Sequence, residues 1–302
     1  MVSKTDNTVI VVDPAEALRR ARQGRGYWRR VWERLRGDWG TLSVIGIILL
    51  ILLAAAFAPF VATHDPMQGS ILGRLKGFGY NGHILGTDET GRDLFSRIVF
   101  GARLSLITGV LPVLFALVIG GFLGVVAGYF RGFPNSVIMR GVDVLYAFPS
   151  ILLAIAITGM LGSGLTNTIL ALTITFIPPL VRISETVTSQ VRSLDFVEAA
   201  RSSGARPLTI IRFHILNNML GPVLVYTTSL ISISIILAAG LSFLGLGVTP
   251  PDAEWGLMLN NLRSAIWVNP VIAALPGVMI FITSMCFNLM SDGLRQAMDV
   301  RL

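Results

Sequence analysis

The sequence predicts an all-α integral membrane protein with six transmembrane helices, and three observations carry that prediction. First, 53% of the 302 residues are hydrophobic and only 14% are charged, with a mean hydropathy of +0.71. Soluble domains carry about 25% charged residues, so this chain could not cover its surface in water. Second, six apolar runs approach or exceed the ~20 residues that a bilayer core demands. Third, Lys and Arg crowd before the first run, between the second and third, between the fourth and fifth, and after the sixth. Lys and Arg are retained on the cytoplasmic side, so both termini are expected there.

The elements follow in order. Residues 1–39 form a basic leader that includes Lys4, Arg19, Arg20, Arg22 and Arg25. It is too long and too charged for the start of a cleavable signal, so the first apolar run is read as a retained span. Within the leader, "YWRRVWERLRGDW" (27–39) places Trp28, Trp32, Leu35 and Trp39 at helical spacing, with arginines on the other side. This reads either as an interfacial anchor, because tryptophan prefers the headgroup layer, or as a solvated leader that only sets topology. The first span covers 40–62, and a periplasmic segment covers 63–104. The second to sixth spans, at 105–129, 137–161, 167–181, 219–241 and 270–290, make a core of 105–292 that is followed by a cytoplasmic tail at 293–302. Pro178 and Pro179 are expected near the end of the fourth span. Arg74, Lys76, Arg92, Arg97 and Arg103 depart from the charge rule in the first outside segment, but the leader outweighs them.

The motifs exclude several chemistries. Cys286 is the single cysteine, so no internal disulfide forms. His64, His83 and His214 are scattered, and no HExxH, paired CxxC, GxSxG or GxxxxGK[ST] occurs, so no catalytic residue and no ATP-binding P-loop is expected. Gly120, Gly124 and Gly128 recur every four residues, a spacing that lets another helix backbone approach closely. The neighbour is either another span of this chain or a second subunit. Arg140 and Asp143, three apart, are expected to form a local ion pair at a helix end. Spans five and six hold no ionisable residue at mid-depth, which argues against a proton- or ion-driven carrier.

The stretch "SLDFVEAARSSGARPLTIIRFHIL" (193–216) is charged and helix-prone between two spans. Asp195 is placed to cap a helix, with Glu198 three residues on as in a capping box. Phe196, Ala199, Ala200 and Ser203 share one small face. Gly204 ends or bends the helix, and Pro207 suits the first turn of the next. Such an elbow is suited to a helix-in-groove contact with a cytosolic partner. The alternative is an inter-span loop that happens to be helical. On the outside, "GTDETGRD" supplies turns at Gly86 and Gly91 beside Thr87, and Asp88, Arg92 and Asp93 can lock the loop by ion pairs. A metal site from His83, Asp88, Glu89 and Asp93 is conceivable by ligand type, but Arg92 among them would repel a cation, and none is expected. In "PPDAEWG", Pro250 and Pro251 stiffen the chain and Trp255 is read as an interfacial anchor, either bracing the bundle or touching solute.

"EAARSSGARPLTIIRFHIL" resembles the EAA loop of ABC-importer permeases, with Glu198, Ala199, Ala200 and Gly204 on its E-A-A and G positions and His214, Ile215 and Leu216 on its H-I-L. "ILGTDETGRDLFSRIVFGARLSL" (84–106), "LSFLGLGVTPPDAEWGLML" (241–259) and "FNLMSDGLRQAMDVRL" (287–302) resemble segments of dipeptide, oligopeptide and nickel permeases. Asn217, Ser291, Gln296 and Val300 stand where that family usually has Pro, Gly, Asp and Pro. The resemblance implies a type I ABC importer permease fold with a cytoplasmic coupling helix, docked on an ATPase through Asp195, Phe196, Glu198, Ala199, Ala200 and Gly204. It implies a C-type subunit beside a B-type permease in the bacterial inner membrane. Two ATP-binding subunits would carry ATP and Mg, so no cofactor is expected in this chain. A periplasmic or lipid-anchored solute-binding protein would deliver peptides, or alternatively glutathione, nickel or an opine, and no nucleic acid is involved. A secondary transporter and a membrane-embedded enzyme are the competing classes.

Overall fold

The structure of the chain, a computed structural model, describes residues 27–298. The basic residues before Tyr27, the side chain of Trp28, and Val300 lie outside the described residues. Every regular element among those described is helical. A short helix, α1 (Tyr27–Gly37), leads to α2 (Trp39–Ala56). Asp38 caps α2, accepting from the Gly40 amide at 3.0 Å and from the Thr41 hydroxyl. The Thr41 hydroxyl and the Gly40 amide hold the Asp38 carboxyl below its ordinary value. After a break at Phe57 and a turn at Ala58–Val61, a long loop reaches α3 (Leu94–Phe130).

α3 begins well before the predicted residue 105. At 37 residues it is about 55 Å long, far beyond the ~30 Å hydrocarbon core. Hydropathy assigns 94–104 to the loop because it carries Arg97 and Arg103. The helix tolerates both because each is satisfied: Arg103 donates to the carbonyls of Ala55 and Ala56, and Arg97 is enclosed by acceptors described below.

α4 (Gly132–Tyr146) and α5 (Ser150–Leu161) replace the single run predicted over 137–161, with an 86° bend between them. The bend falls at Pro149, whose ring disfavours continuation of the helix. α6 (Leu165–Arg192) extends well past the predicted 181, and Pro178 and Pro179 lie inside it. α7 (Asp195–Ser202) precedes α8 (Pro207–Phe243), which passes through a π-helical turn at Ile211–Ile215. α9 (Trp255–Asn261) and α10 (Pro270–Met298) complete the chain.

The glycine ladder settles how the bundle is built. A Cβ on Gly120 would meet Leu180 and the Ile177 carbonyl, one on Gly124 would meet Ser184 and Val181, and one on Gly128 would meet Thr188 and Glu185. The three glycines therefore seat α3 on α6 within this chain. Their partners advance along α6 as the glycines advance along α3, so the two helices run parallel. The chain must cross back between Phe130 and Leu165, and the bent α4–α5 pair makes that crossing, the sixth of the bundle.

The apolar core lies along this seam and includes Val113 and Ala116 of α3 with Leu172, Leu180, Ile235 and Leu241, all buried. The outer faces carry large apolar side chains such as Leu50, Val118, Phe122 and Phe281, as lipid contact requires. A Cβ on Gly293 would strike Thr41, so the end of α10 lies beside the start of α2. The start of α2, the end of α3, α7 and the end of α10 thus share one end of the bundle. The 62–93 loop and α9 share the other.

Two sequence expectations change here. Leu35 does not join the tryptophans on an outer face: Val31 and Leu35 are buried against Ala297 of α10, whereas Trp32 and Trp39 are exposed. Asp143 pairs not with Arg140 but with Arg182 of α6, at 2.7 Å, and that guanidinium sits 4.8 Å above the Tyr146 ring. The pair thereby ties the bent span to α6. Ser291, one of the departures from the family pattern, is buried and donates to the Val225 carbonyl at 2.8 Å.

Candidate functional site

At the loop end, "GTDETGRD" folds into a knot around Asp88. Gly86 and Gly91 hold φ of +79° and +77°, and a Cβ on either would collide with the carbonyl oxygen of Lys76 or Ser70. Both positions therefore require glycine. The Thr87 hydroxyl accepts from the Lys76 amide at 3.0 Å and donates to the Gly73 carbonyl. Asp88 is buried. Its Oδ1 accepts from the amides of Thr90 and Arg92 and from the Thr90 hydroxyl, each at 2.9 Å. Its Oδ2 faces Arg92 Nε at 2.7 Å and Arg97 Nε at 3.3 Å. Arg92 also reaches Glu89 at 3.0 Å. Burial, with the adjacent Asp88 charge, nevertheless holds the Glu89 carboxyl above its ordinary value.

Arg97, 1% exposed, extends the knot to two remote segments by donating to the carbonyls of Pro66 and Asp252. Sequence reasoning counted it only as a topology charge. Its signal was a guanidinium one turn inside an apolar helix, which must find acceptors. Asp93 caps α3, accepting from the Ser96 amide at 2.7 Å, from Thr63 Oγ1 at 3.2 Å and from His83 Nδ1 at 2.8 Å. Burial alone would raise this carboxyl, but the bonds from Ser96, His83 and Thr63 outweigh it and hold it below its ordinary value. The conceivable metal set is therefore divided: Asp88 and Glu89 belong to the arginines, and His83 turns to Asp93.

Trp255 is fully buried rather than interfacial. Its indole donates to the Ile98 carbonyl at 2.9 Å, and its amide donates to Ser105 Oγ at 3.0 Å. Glu254, missed in the sequence, caps α9 by accepting from the amides of Gly256 and Leu257 and also accepts from Ser105 Oγ at 3.1 Å. This segment braces the start of α3.

At the opposite end the elbow forms as a helix, a turn and a helix, with its start and its buried face differing from expectation. The N-cap of α7 is Leu194, which makes no side-chain cap bond, so the capping box is absent. Asp195 and Glu198 fall inside the first turn instead, where the positive end of the helix dipole still favours them. The C-terminus follows a Schellman pattern. Ala205 N bonds to Ala200 O at 3.1 Å, Gly204 N bonds to Arg201 O at 2.9 Å, and Gly204 has φ +81°. A Cβ on Gly204 would meet nothing, so the backbone sign, not space, selects glycine. Pro207 opens the next helix as expected, after an Arg206 N-cap. Asn217 Nδ2 donates to the Phe213 carbonyl at 2.9 Å, and the helix continues through the position where proline is usual.

One residue roots the elbow. Val197, absent from the sequence reading, is fully buried among Tyr129, Val187, Val191, Ile210 and Ile215. Ala200 is half-buried against the same cluster. Asp195, Phe196, Glu198, Ala199 and Ser203 face outward, and the Phe196 ring lies 5.9 Å from the ring of His214. Glu198 makes an exposed ion pair with Arg201 at 3.5 Å. The result is a firmly anchored helix whose outer surface presents one aromatic ring, tilted against that of His214, among exposed small and acidic side chains.

Known proteins share this organisation. Residues 120–302 match the family described as binding-protein-dependent transport system inner membrane component, and residues 26–76 match the N-terminal TM domain of oligopeptide transport permease C. A protein of Pectobacterium atrosepticum named glutathione transport system permease protein GsiD is 42% identical over 276 residues, covering 91% of each chain. The protein of that name from Escherichia coli O6:K15:H31 is 41% identical over 280 residues, covering 93% of this chain and 92% of its own. Among solved structures, the MetNI methionine ABC transporter in an inward-facing conformation aligns with a TM-score of 0.58 at 19% identity, over 69% of this chain and 98% of the other. A chain of an amino acid ABC transporter aligns with a TM-score of 0.52 at 17% identity, over 67% and 94%.

Proposed function

The chain belongs to the family of binding-protein-dependent transport inner-membrane components, as a multi-pass permease of an ABC importer, and on that premise we propose that it forms half of a path for glutathione or a closely similar short peptide. The other half is a second, B-type permease. Two ATP-binding subunits sit below, one seated on α7, and a solute-binding protein delivers the cargo from outside. ATP and Mg belong to those partners, and this chain does no covalent chemistry.

The observation that carries the coupling role is the elbow. Val197 fixes α7 to the bundle while Phe196 and Ala199 stay exposed. A ring on a short rigid helix supplies the anchor that a groove on a partner needs. Nucleotide then favours whichever arrangement of the permeases its own subunits bind better. The positive-inside rule supports a cytoplasmic location for the basic side of the bundle, with α7 and both termini on it. The substrate reading rests on the relatives, which are named for glutathione transport. Among the solutes compatible with the sequence motifs, it selects a small anionic tripeptide.

The test is uptake of labelled glutathione by proteoliposomes that hold the whole complex, with its binding protein outside and ATP on the ATPase side. Uptake that requires ATP and is stopped by vanadate is expected, and a tenfold excess of an unrelated dipeptide should not compete. ATP-driven uptake of the dipeptide with indifference to glutathione would overturn the substrate. Accumulation by the permeases alone without nucleotide would overturn the mechanism.

A further inference from the structure

Three side chains that are distant in the sequence converge beside the start of α3: His64 from the exit of the first span, His83 from the turn before the knot, and Asp93 from the α3 N-cap. One donor atom from each lies within 4.8 Å of the others. His83 Nδ1 is 2.8 Å and His64 Nδ1 is 3.7 Å from the same oxygen, Asp93 Oδ1. The two imidazoles lie with centroids 4.3 Å apart. We propose that His64, His83 and Asp93 bind a divalent transition cation of the zinc class.

Four features support the site. The donor set, two imidazoles and one carboxylate, suits zinc, cobalt, nickel or copper and not magnesium or calcium, which require mostly oxygen. With metal–donor bonds of about 2.0–2.1 Å, tetrahedral donors sit about 3.3 Å apart. The 2.8 and 3.7 Å distances to Asp93 Oδ1 bracket that spacing, and with all three donors within 4.8 Å of one another, side-chain adjustment alone would be needed to close the set on an ion. The carboxylate is already oriented: Asp93 is fully buried, and its Oδ2 accepts from the Ser96 amide and Thr63 Oγ1, which leaves Oδ1 turned to both rings. Outer-shell bonds of this kind fix ligand direction. Lastly, His64 is 37% and His83 18% exposed, so water can complete the coordination sphere and the ion has a route in.

The repulsion expected from Arg92 does not act here. Arg92 and Arg97 are paired with Asp88 and Glu89, and among the described residues Asp93 faces histidines and no arginine. Coordination through Nδ1 requires the neutral His83 ring to carry its proton on Nε2, and it would replace one hydrogen bond by coordination to three segments. The ion would therefore clasp the end of the first span to the start of α3. This inference does not depend on which solute is carried.

The experiment uses the full permease complex in detergent, with any affinity tag removed, and Zn²⁺ and Co²⁺ as probes. Expected is one equivalent of Zn²⁺ per chain after dialysis, a Co²⁺ visible absorption that Zn²⁺ abolishes, and no competition by Mg²⁺. His64→Ala, at the most exposed ligand, should keep the fold and weaken Zn²⁺ binding by about tenfold or more. His83→Ala should do the same, and His214→Ala, remote from the cluster, should change nothing. Undiminished Zn²⁺ affinity in His64→Ala and His83→Ala, or no retained equivalent in the unaltered complex, would overturn the site.

Discussion

Asp88 and Glu198 are both acidic residues in short, glycine-terminated stretches at opposite ends of the bundle. Asp88 is 2% exposed and lies between two guanidinium groups while it also accepts backbone and hydroxyl bonds. Glu198 is 66% exposed, with one ion pair at 3.5 Å. The loop end buries its charges and satisfies them from several remote segments at once, which fixes the geometry. The elbow end has one buried root and leaves its polar and aromatic groups to solvent. Rigid bracing and partner-ready surface are thus separable by how completely each charge is satisfied within the chain.

Breaking the first region should cost stability, and breaking the second should cost assembly. The largest effect is expected from Arg97→Ala, which leaves Asp88 buried with half its cationic cover and frees the Pro66 and Asp252 carbonyls. Removing one partner of a buried pair costs about 3–5 kcal/mol, so the yield of folded protein and its thermal midpoint should fall sharply. Next is Gly124→Val. Its first added carbon would already sit 2.5 Å from Ser184 Cβ and 2.6 Å from the Val181 carbonyl, and overpacking of this kind costs about 1–3 kcal/mol or more, read in the same melt.

Gly204→Val tests the other side. A left-handed conformation costs a branched residue about 1–2 kcal/mol, and that cost is local because nothing surrounds the position. Membrane insertion should be retained and the melt should fall less than for Gly124→Val, while co-purification with the ATPases drops severalfold. Normal assembly and transport by this variant would remove the distinction between the ends. The smallest effect belongs to Glu89→Gln. Because the folded state raises the Glu89 carboxyl, its contribution is fully present below the ordinary value of about 4.3 and is lost as pH rises through the folded value. The variant should therefore be equal to or slightly more stable than the parent at pH 7, with the advantage vanishing near pH 4 in paired melts.

Much of this was legible in the sequence. Spans five and six, the glycine ladder, the turn glycines of the knot, and Gly204 with Pro207 all follow from local rules of hydropathy, spacing and backbone sign. What escaped is non-local. The start of α3 was hidden because Arg97 and Arg103 look incompatible with an apolar helix until their acceptors, up to 155 residues away, are in view. Asp143 found Arg182 instead of its helical neighbour because the bend at Pro149 brings α4 against α6. Val197 escaped because the cluster that buries it is drawn from α3, α6 and α8. The relation of His64 to Asp93 joins residues either side of a long loop that carries no periodic signal.

The glycine seam also decides where this subunit can flex. α3 starts inside the braced loop and ends among the side chains that hold Val197. Along Gly120–Gly128 its backbone lies against α6 with no side chain interposed on the glycine side. Torque applied at one mouth of the molecule should therefore arrive at the other as displacement of a single stiff strut. The exposed corner between α4 and α5, residues 146–150, lacks that close seam, so motion of the subunit is expected to concentrate there rather than along α3.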